Sequence, residues 1–313
     1  MNFEALVSAI VEKQFAEPPL GIRRMTMGAC NEVYSVELSS GSVIVRMNEN
    51  GRYLKGSEKN IPILRSLGTK VPEILVSDYS MQFVPICYQV QSRLIGTDLG
   101  QVISSLSDGQ LAAIAQHVVA VFRSLQSVST NGKYGYFEDD DSGLYDSWSE
   151  VMAAMIAEVE RRDTKTGVVG GNLLGVARQI FSDCKPYFDS VPSICFYDDI
   201  SSKNVLVHQG VFSGVVDLDG LAYGDPLEAI GRMKACWFGT RHGQVYLSEV
   251  ERCLNLTERQ RNIVTAYALL HRISWLSEKG IQWNRNTSNT IDSEAVERDR
   301  KTIADLYCLV THQ

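Results

Sequence analysis

Asp199, Asn204 and Asp217 are three oxygen-bearing side chains whose spacing suits the holding of phosphate and a divalent cation. The stretch from Tyr197 to Asp217 reads as loop, strand, turn and strand. Val205 to Val207 and Val211 to Val216 are rich in β-branched residues, with His208-Gln209-Gly210 as the turn. Asn204 lies six residues before Gly210 and Asp217 seven after it, so folding there returns both side chains to one end of the ribbon. Two hard oxygen ligands with a further carboxylate nearby suit Mg²⁺ held against nucleotide phosphates. Asn204 and Asp217 are the expected metal ligands. Asp199, five residues before Asn204, is the expected catalytic carboxylate, placed to align an acceptor hydroxyl and take its proton.

This spacing resembles the catalytic region of the aminoglycoside phosphotransferase-like small-molecule kinases. There a motif H-x-D-x-x-x-x-N precedes a strand pair that ends in Asp. Asp199, Asn204 and Asp217 fall on its Asp, its Asn and the later metal-binding Asp. Gly220-Leu221-Ala222-Tyr223-Gly224-Asp225-Pro226 resembles the family's G-x-x-Y-G-D-P segment. Tyr197 stands where the motif has His, a residue that supports the loop. Asp198 stands at the usual Gly and competes for the role of base, but the register to Asn204 favours Asp199. The resemblance implies ATP or GTP with Mg²⁺ as cofactors and a small-molecule hydroxyl as acceptor, an aminoglycoside or another hydroxylated amine among the possibilities. The rival reading is a kinase-like protein that binds nucleotide or a partner without transferring phosphate.

The elements that would position these groups divide into two lobes. Residues 1–95 are expected to form a small β-rich nucleotide-binding lobe, and 96–313 a larger, mostly helical catalytic and substrate-binding lobe. The fold class is thus α+β, kinase-like. An amphipathic helix from Met1 to Glu12 precedes two alternating strands, 33–38 and 42–47, joined at Ser39-Ser40-Gly41. On the second strand Arg46 lies opposite the face of Val43, Val45 and Met47, and the resemblance implies that it clamps the nucleotide phosphates. A helix over 57–67 resembles the family's E-x-x-x-L-x-x-L helix, which implies Glu58 as the partner that orients Arg46. Strands near 74–76 and 87–94 follow, and the segment containing Ser92 and Leu94 is the expected nucleobase-binding hinge. Gly28 opens the candidate phosphate loop, which is neither a Walker loop nor G-x-G-x-x-G. Ser107-x-x-Gln110 and Thr257-x-x-Gln260 are capping boxes of two helices, the second reaching toward Gly280. A third helix carries Leu144, Trp148, Val151, Met155 and Val159. Residues 161–175, with four glycines, read as a loop.

Composition narrows the partners. The chain has 313 residues, 44% of them hydrophobic, and a net charge of −7, which argues against nucleic acid and favours a cationic acceptor. The acidic run Glu138 to Asp141 and Asp219 are candidates for attracting such an acceptor. Seven dispersed cysteines without a C-x-x-C pair fit reduced thiols in the cytoplasm, and five dispersed histidines form no zinc motif. No continuous apolar run is long enough for a membrane span, so no membrane partner is expected. Oligomeric state is left open by the sequence.

Overall fold

In the computed structural model, which describes residues 1–26, 28, 30–137, 144–201, 203–283 and 285–311, the first lobe is a five-stranded antiparallel sheet flanked by two helices. Its elements are α1 (Phe3–Phe15), β1 (Gly21–Met25), β2 (Glu32–Leu38), β3 (Gly41–Asn48), α2 (Arg52–Ser66), β4 (Ile74–Asp78) and β5 (Cys87–Ser92). The sheet order is β1-β2-β3-β5-β4. Tyr34, Val36, Val43, Val45, Met47 and Val90 pack with Val7, Ile10 and Val11 of α1 into the lobe's core. That face leaves Arg46, of the opposite parity on β3, to point elsewhere. Strand β1 carries no such signal in its sequence. Gly-Ile-Arg-Arg-Met has no apolar alternation, and its residues are half-buried or exposed.

The second lobe begins with β6 (Thr97–Asp98) and α3 (Leu99–Val102), and continues through α4 (Asp108–Leu125), β7 (Gly135–Phe137), α5 (Trp148–Thr166) and α6 (Gly170–Phe188). Then come β8 (Ile194–Phe196), β9 (Val205–His208), β10 (Val211–Val215) and β11 (Leu221–Gly224). Helices α7 (Leu227–Trp237), α8 (Arg241–Leu254), α9 (Glu258–Ser277) and α10 (Ser293–Thr311) complete it. Both capping boxes form, at the starts of α4 and α9. Helices α7 and α9 cross closely at Gly231, where a Cβ would stand 2.3 Å from that of Tyr267.

The expected loop over 161–175 is corrected. Helix α5 runs to Thr166, and only residues 167–169 separate it from α6. Gly167 ends α5 in the left-handed conformation, φ 65°. The Asp163 carboxylate then accepts hydrogen bonds from the Val169 and Gly170 amides, 2.7 and 3.1 Å, at the start of α6. Glycines 170, 171 and 175 lie within α6 itself, where burial of Ala177, Ile180 and Phe188 offsets their low helix propensity.

The lobes are joined in three ways that bear on the cleft. Residues 93–96 lead from β5 to β6, which pairs with β9. The Asn60 amide of α2 donates to the Leu218 carbonyl at 3.0 Å, and Val215 N–H donates to the Lys70 carbonyl at 3.0 Å. The third tie comes from the segment between α9 and α10. Arg285 donates to Glu32 at 2.6 and 2.9 Å and to the Tyr34 hydroxyl at 2.9 Å, and Asn286 donates to the Gly28 carbonyl at 2.8 Å. Among the described residues no helix is long and apolar enough to cross a membrane, and the seven cysteines form no disulfide.

Candidate active site

The hairpin forms as its residue types require. Gln209 and Gly210 both adopt positive φ, 51° and 77°, in a tight turn between β9 and β10. Its open end carries Asn204 just before β9 and Asp217 just after β10, and the Val216 N–H donates to the Asn204 carbonyl at 3.0 Å, closing that end. Asp217 is itself left-handed, φ 63°, which tips its carboxylate out of the strand line and leaves it 40% exposed.

Asn204 is buried, and its side-chain N–H₂ donates to the backbone carbonyl of Asp199 at 2.9 Å. With the nitrogen fixed there, the amide oxygen is the atom left for a cation. The hydroxyl of Tyr197 reaches the carbonyls of Val216 and Asp217, 3.0 and 2.9 Å away. Tyr197 thus ties its own segment to that of Asp217. Tyr197→Phe is expected to lower stability by about 1 kcal/mol, the net worth of one such hydrogen bond. Turnover should fall several-fold with nucleotide affinity kept. A melting curve and steady-state kinetics on the same preparation check this, and an unchanged melting temperature would contradict the tie.

Arg46 is buried, 4% exposed, and its guanidinium crosses the cleft. It donates to Asp217 at 2.9 Å and with both terminal nitrogens to Asp219, 2.7 Å for the first. Burial alone would favour neutral arginine, but Asp219 and Asp217 outweigh it and hold the charge. Asn31 adds a donor to Asp219 at 3.1 Å. Asp219 therefore lies on the Arg46 side of the site, not in an acceptor-attracting rim. The other rim candidate, Glu138 to Asp141, falls outside the described residues.

The expected pairing of Arg46 with Glu58 is corrected. Helix α2 starts at Arg52, five residues before the expected point, and turns Ser57 and Asn60 inward. Glu58 is exposed on the other face, where its charge helps burial to raise the Tyr79 hydroxyl's pKa. Gly28 does take a conformation that favours glycine, φ 97°, in the turn between β1 and β2. Ser92 closes the sheet: its N–H donates to the Glu73 carbonyl and its hydroxyl accepts from the Glu73 amide, each at 2.8 Å. Leu94 packs over Gly214, where a Cβ would meet Leu94 Cδ1 at 2.8 Å.

Asp199 lies between two cations. Arg232 of α7 reaches Asp199 at 3.1 Å and Asp198 at 2.8 Å, and Lys203 reaches Asp199 at 3.3 Å. Burial works against ionised Asp199, but Arg232 and Lys203 outweigh it and hold its carboxyl below the usual range. Asp198 goes the other way. Burial pushes it up to about 7 against the pull of Arg232, helped by Glu228 and Asp199. Asp199 is therefore the more acidic of the two adjacent carboxyls and is ionised at neutral pH.

Sequence reasoning missed Arg232, Lys203 and Asn31. A signal for the first existed, since Asp225-Pro226 starts α7 and places Glu228 and Arg232 four apart on one face. Asp225 fixes that helix from below, accepting from the Leu227 N–H and from the hydroxyls of Tyr187 and Tyr267, at 3.0, 2.8 and 2.8 Å.

A family profile described as the phosphotransferase enzyme family, APH, matches residues 21–254. A comparison with curated proteins finds no match. Among solved structures, the chain is similar to an apo thermostable mutant of aminoglycoside phosphotransferase APH(4)-Ia, with TM-score 0.73, 16% identity, and 96% and 98% of the two chains covered. A further thermostable mutant of the same phosphotransferase, in ternary complex with AMP-PNP and hygromycin B, aligns at TM-score 0.70 and 16% identity over 96% and 97%. A streptomycin-ATP-APH(2")-IIa ternary complex aligns at TM-score 0.63 and 12% identity over 97% of each chain. These structural likenesses show a shared two-lobed fold, and with the family match over most of its length the chain belongs to the phosphotransferase enzyme family, APH, and is a small-molecule kinase.

Proposed function

We propose that the protein moves the γ-phosphate of ATP or GTP, taken up with Mg²⁺, to a hydroxyl of a small molecule. The observation that carries this reading is the ionised Asp199 set beside the Asn204–Asp217 end of one hairpin, with Arg46 reaching that end from the other lobe. The donor set suits the metal. One amide oxygen and one exposed carboxylate are few ligands, as expected for an ion that takes most of its oxygens from phosphates and water. Mg²⁺ held there would neutralise charge on the phosphates. The protein's own residues do the rest. Asn204 is oriented by the Asp199 carbonyl, so metal ligand and base are set by one loop. Arg46, whose terminal nitrogens rest on Asp217 and Asp219, brings its charge and its remaining N–H donors to the phosphate oxygens. Asp199 aligns the acceptor hydroxyl and takes its proton. Gly28 offers backbone to the phosphates, and the chain from Ser92 to Leu94 faces the nucleobase, with Ser92 held by Glu73. The nucleotide lobe is assigned to 1–95 and the acceptor lobe to 96–313, and the cysteines, none in a disulfide, support a reducing, cytoplasmic setting.

A hydroxylated amine is the favoured acceptor. The net charge of −7 supports it, as do the complexes of two structural neighbours with hygromycin B and streptomycin. The decisive test is Asp217→Ala. Mg²⁺ titrated against bound ATP should tighten binding in the wild type and fail to do so in the variant, because Asp217 is the charged one of the two proposed ligands. An equal response in both proteins would overturn the metal assignment.

A further inference from the structure

The two cations beside Asp199 are not alike. Arg232 is anchored on α7 and divided between Asp198 and Asp199, so it forms the fixed rear wall of the base. Lys203 is on the loop between Asp199 and Asn204, 34% exposed, and interacts electrostatically with both Asp199 and Asp217. Those two carboxylates bracket the reaction in the proposed function: one takes the acceptor's proton, the other holds the phosphates. The phosphorus atom in transit must pass between them, and Lys203, paired with one and feeling the charge of the other, stands beside that path. Arg46 is less able to follow it, since its terminal nitrogens are on Asp217 and Asp219.

We infer that Lys203 is a further catalytic residue, whose ammonium turns from Asp199 to the non-bridging oxygens of the transferring phosphoryl group. The inference rests on the phosphotransferase reading above. In the step, the acceptor oxygen forms its bond to phosphorus while the bond to the β-phosphate oxygen breaks, leaving its electron pair on the β-phosphate. The acceptor's proton passes to Asp199. Lys203 keeps its protons and contributes hydrogen bonds to the phosphoryl oxygens. A compact ammonium on a flexible four-carbon stem can make that turn, where a buried guanidinium cannot. The plain alternative is a loop salt bridge four residues apart, which would contribute little to anything measured.

Transfer to water, measured as ATP hydrolysis by the full chain with Mg²⁺ and no acceptor, makes the test independent of acceptor identity. Lys203→Met should lower kcat by about 10²–10³-fold, the range for losing one donor aimed at transition-state charge. KM for ATP should change less than about threefold, and Lys203→Arg should recover part of kcat. ADP with aluminium fluoride, a mimic of the phosphoryl group in transit, should bind the Met variant more weakly by a similar factor while ADP alone binds both proteins equally. A salt bridge that serves only structure would not separate these two ligands. Lys203→Met with wild-type kcat and wild-type aluminium fluoride affinity overturns the inference alone. Wild-type protein that neither binds nor hydrolyses ATP overturns the phosphotransferase reading, and the inference with it.

Discussion

Asp199→Asn is expected to lower turnover by roughly 10²–10⁴-fold while nucleotide and Mg²⁺ bind as in the wild type, the loss that removal of a general base brings. The reason for the split is local. Asn204 is oriented by the backbone carbonyl of Asp199, not by its carboxylate, so the substitution removes the proposed base and leaves the proposed metal ligand in place. The change also releases Lys203 and one nitrogen of Arg232 from their ion pairs. Arg232 keeps Asp198 as a partner, so no buried guanidinium is left alone. Isothermal titration with ATP and Mg²⁺ beside single-turnover kinetics measures both halves. Lost nucleotide affinity with turnover intact would make Asp199 a metal ligand and end its assignment as base.

Arg46→Ala has the second large effect, and it acts on two quantities at once. ATP affinity should fall far more than adenosine affinity, because adenosine presents no phosphate oxygens to the missing fork. Stability should fall too. Breaking a buried ion pair from one side costs about 3–5 kcal/mol, and the lower end applies because Asp219 keeps 22% of its side chain exposed. The two effects separate in a double variant. Adding Asp219→Asn to Arg46→Ala removes the orphaned charge, so melting temperature should rise toward the wild type while ATP affinity stays low. Arg46→Lys should retain part of the affinity through its charge. Equal weakening of ATP and adenosine would show that the small lobe itself had been disturbed.

Sequence and structure agree where function is local and part where it is not. Asp199, Asn204 and Asp217 lie within one loop and one hairpin, so their placement follows from turn chemistry and strand alternation. The parity of β3 likewise sets Arg46 apart from the apolar face. What cannot be read is its partner. Arg46 and Asp219 are 173 residues apart, and nothing in either neighbourhood encodes their meeting. Glu58 stands near the start of the helix that the sequence suggests, and the true start at Arg52 rotates it to solvent. The extent of α6 is hidden for a similar reason. Its glycines argue for a loop locally, and the apolar residues that override them form a face only once the helix exists.

The contact of Arg285 and Asn286 with Glu32, Tyr34 and Gly28 ties the lobes together beyond the covalent link at 93–96 and the hydrogen bonds of Asn60 and Lys70. Of these ties it is the one made by two oppositely charged side chains, Arg285 and Glu32. Its acid partner is insensitive to mild acid: hydrogen bonding from Arg285, with Arg24 assisting, holds Glu32 down to about 2 despite its burial. Glu32 therefore adds to stability above its ordinary titration range and loses that contribution only as pH falls toward 2. Arg285, by contrast, is half exposed, within reach of dissolved ions. Ionic strength, and not mild acid, is the variable that should loosen this tie between the lobes.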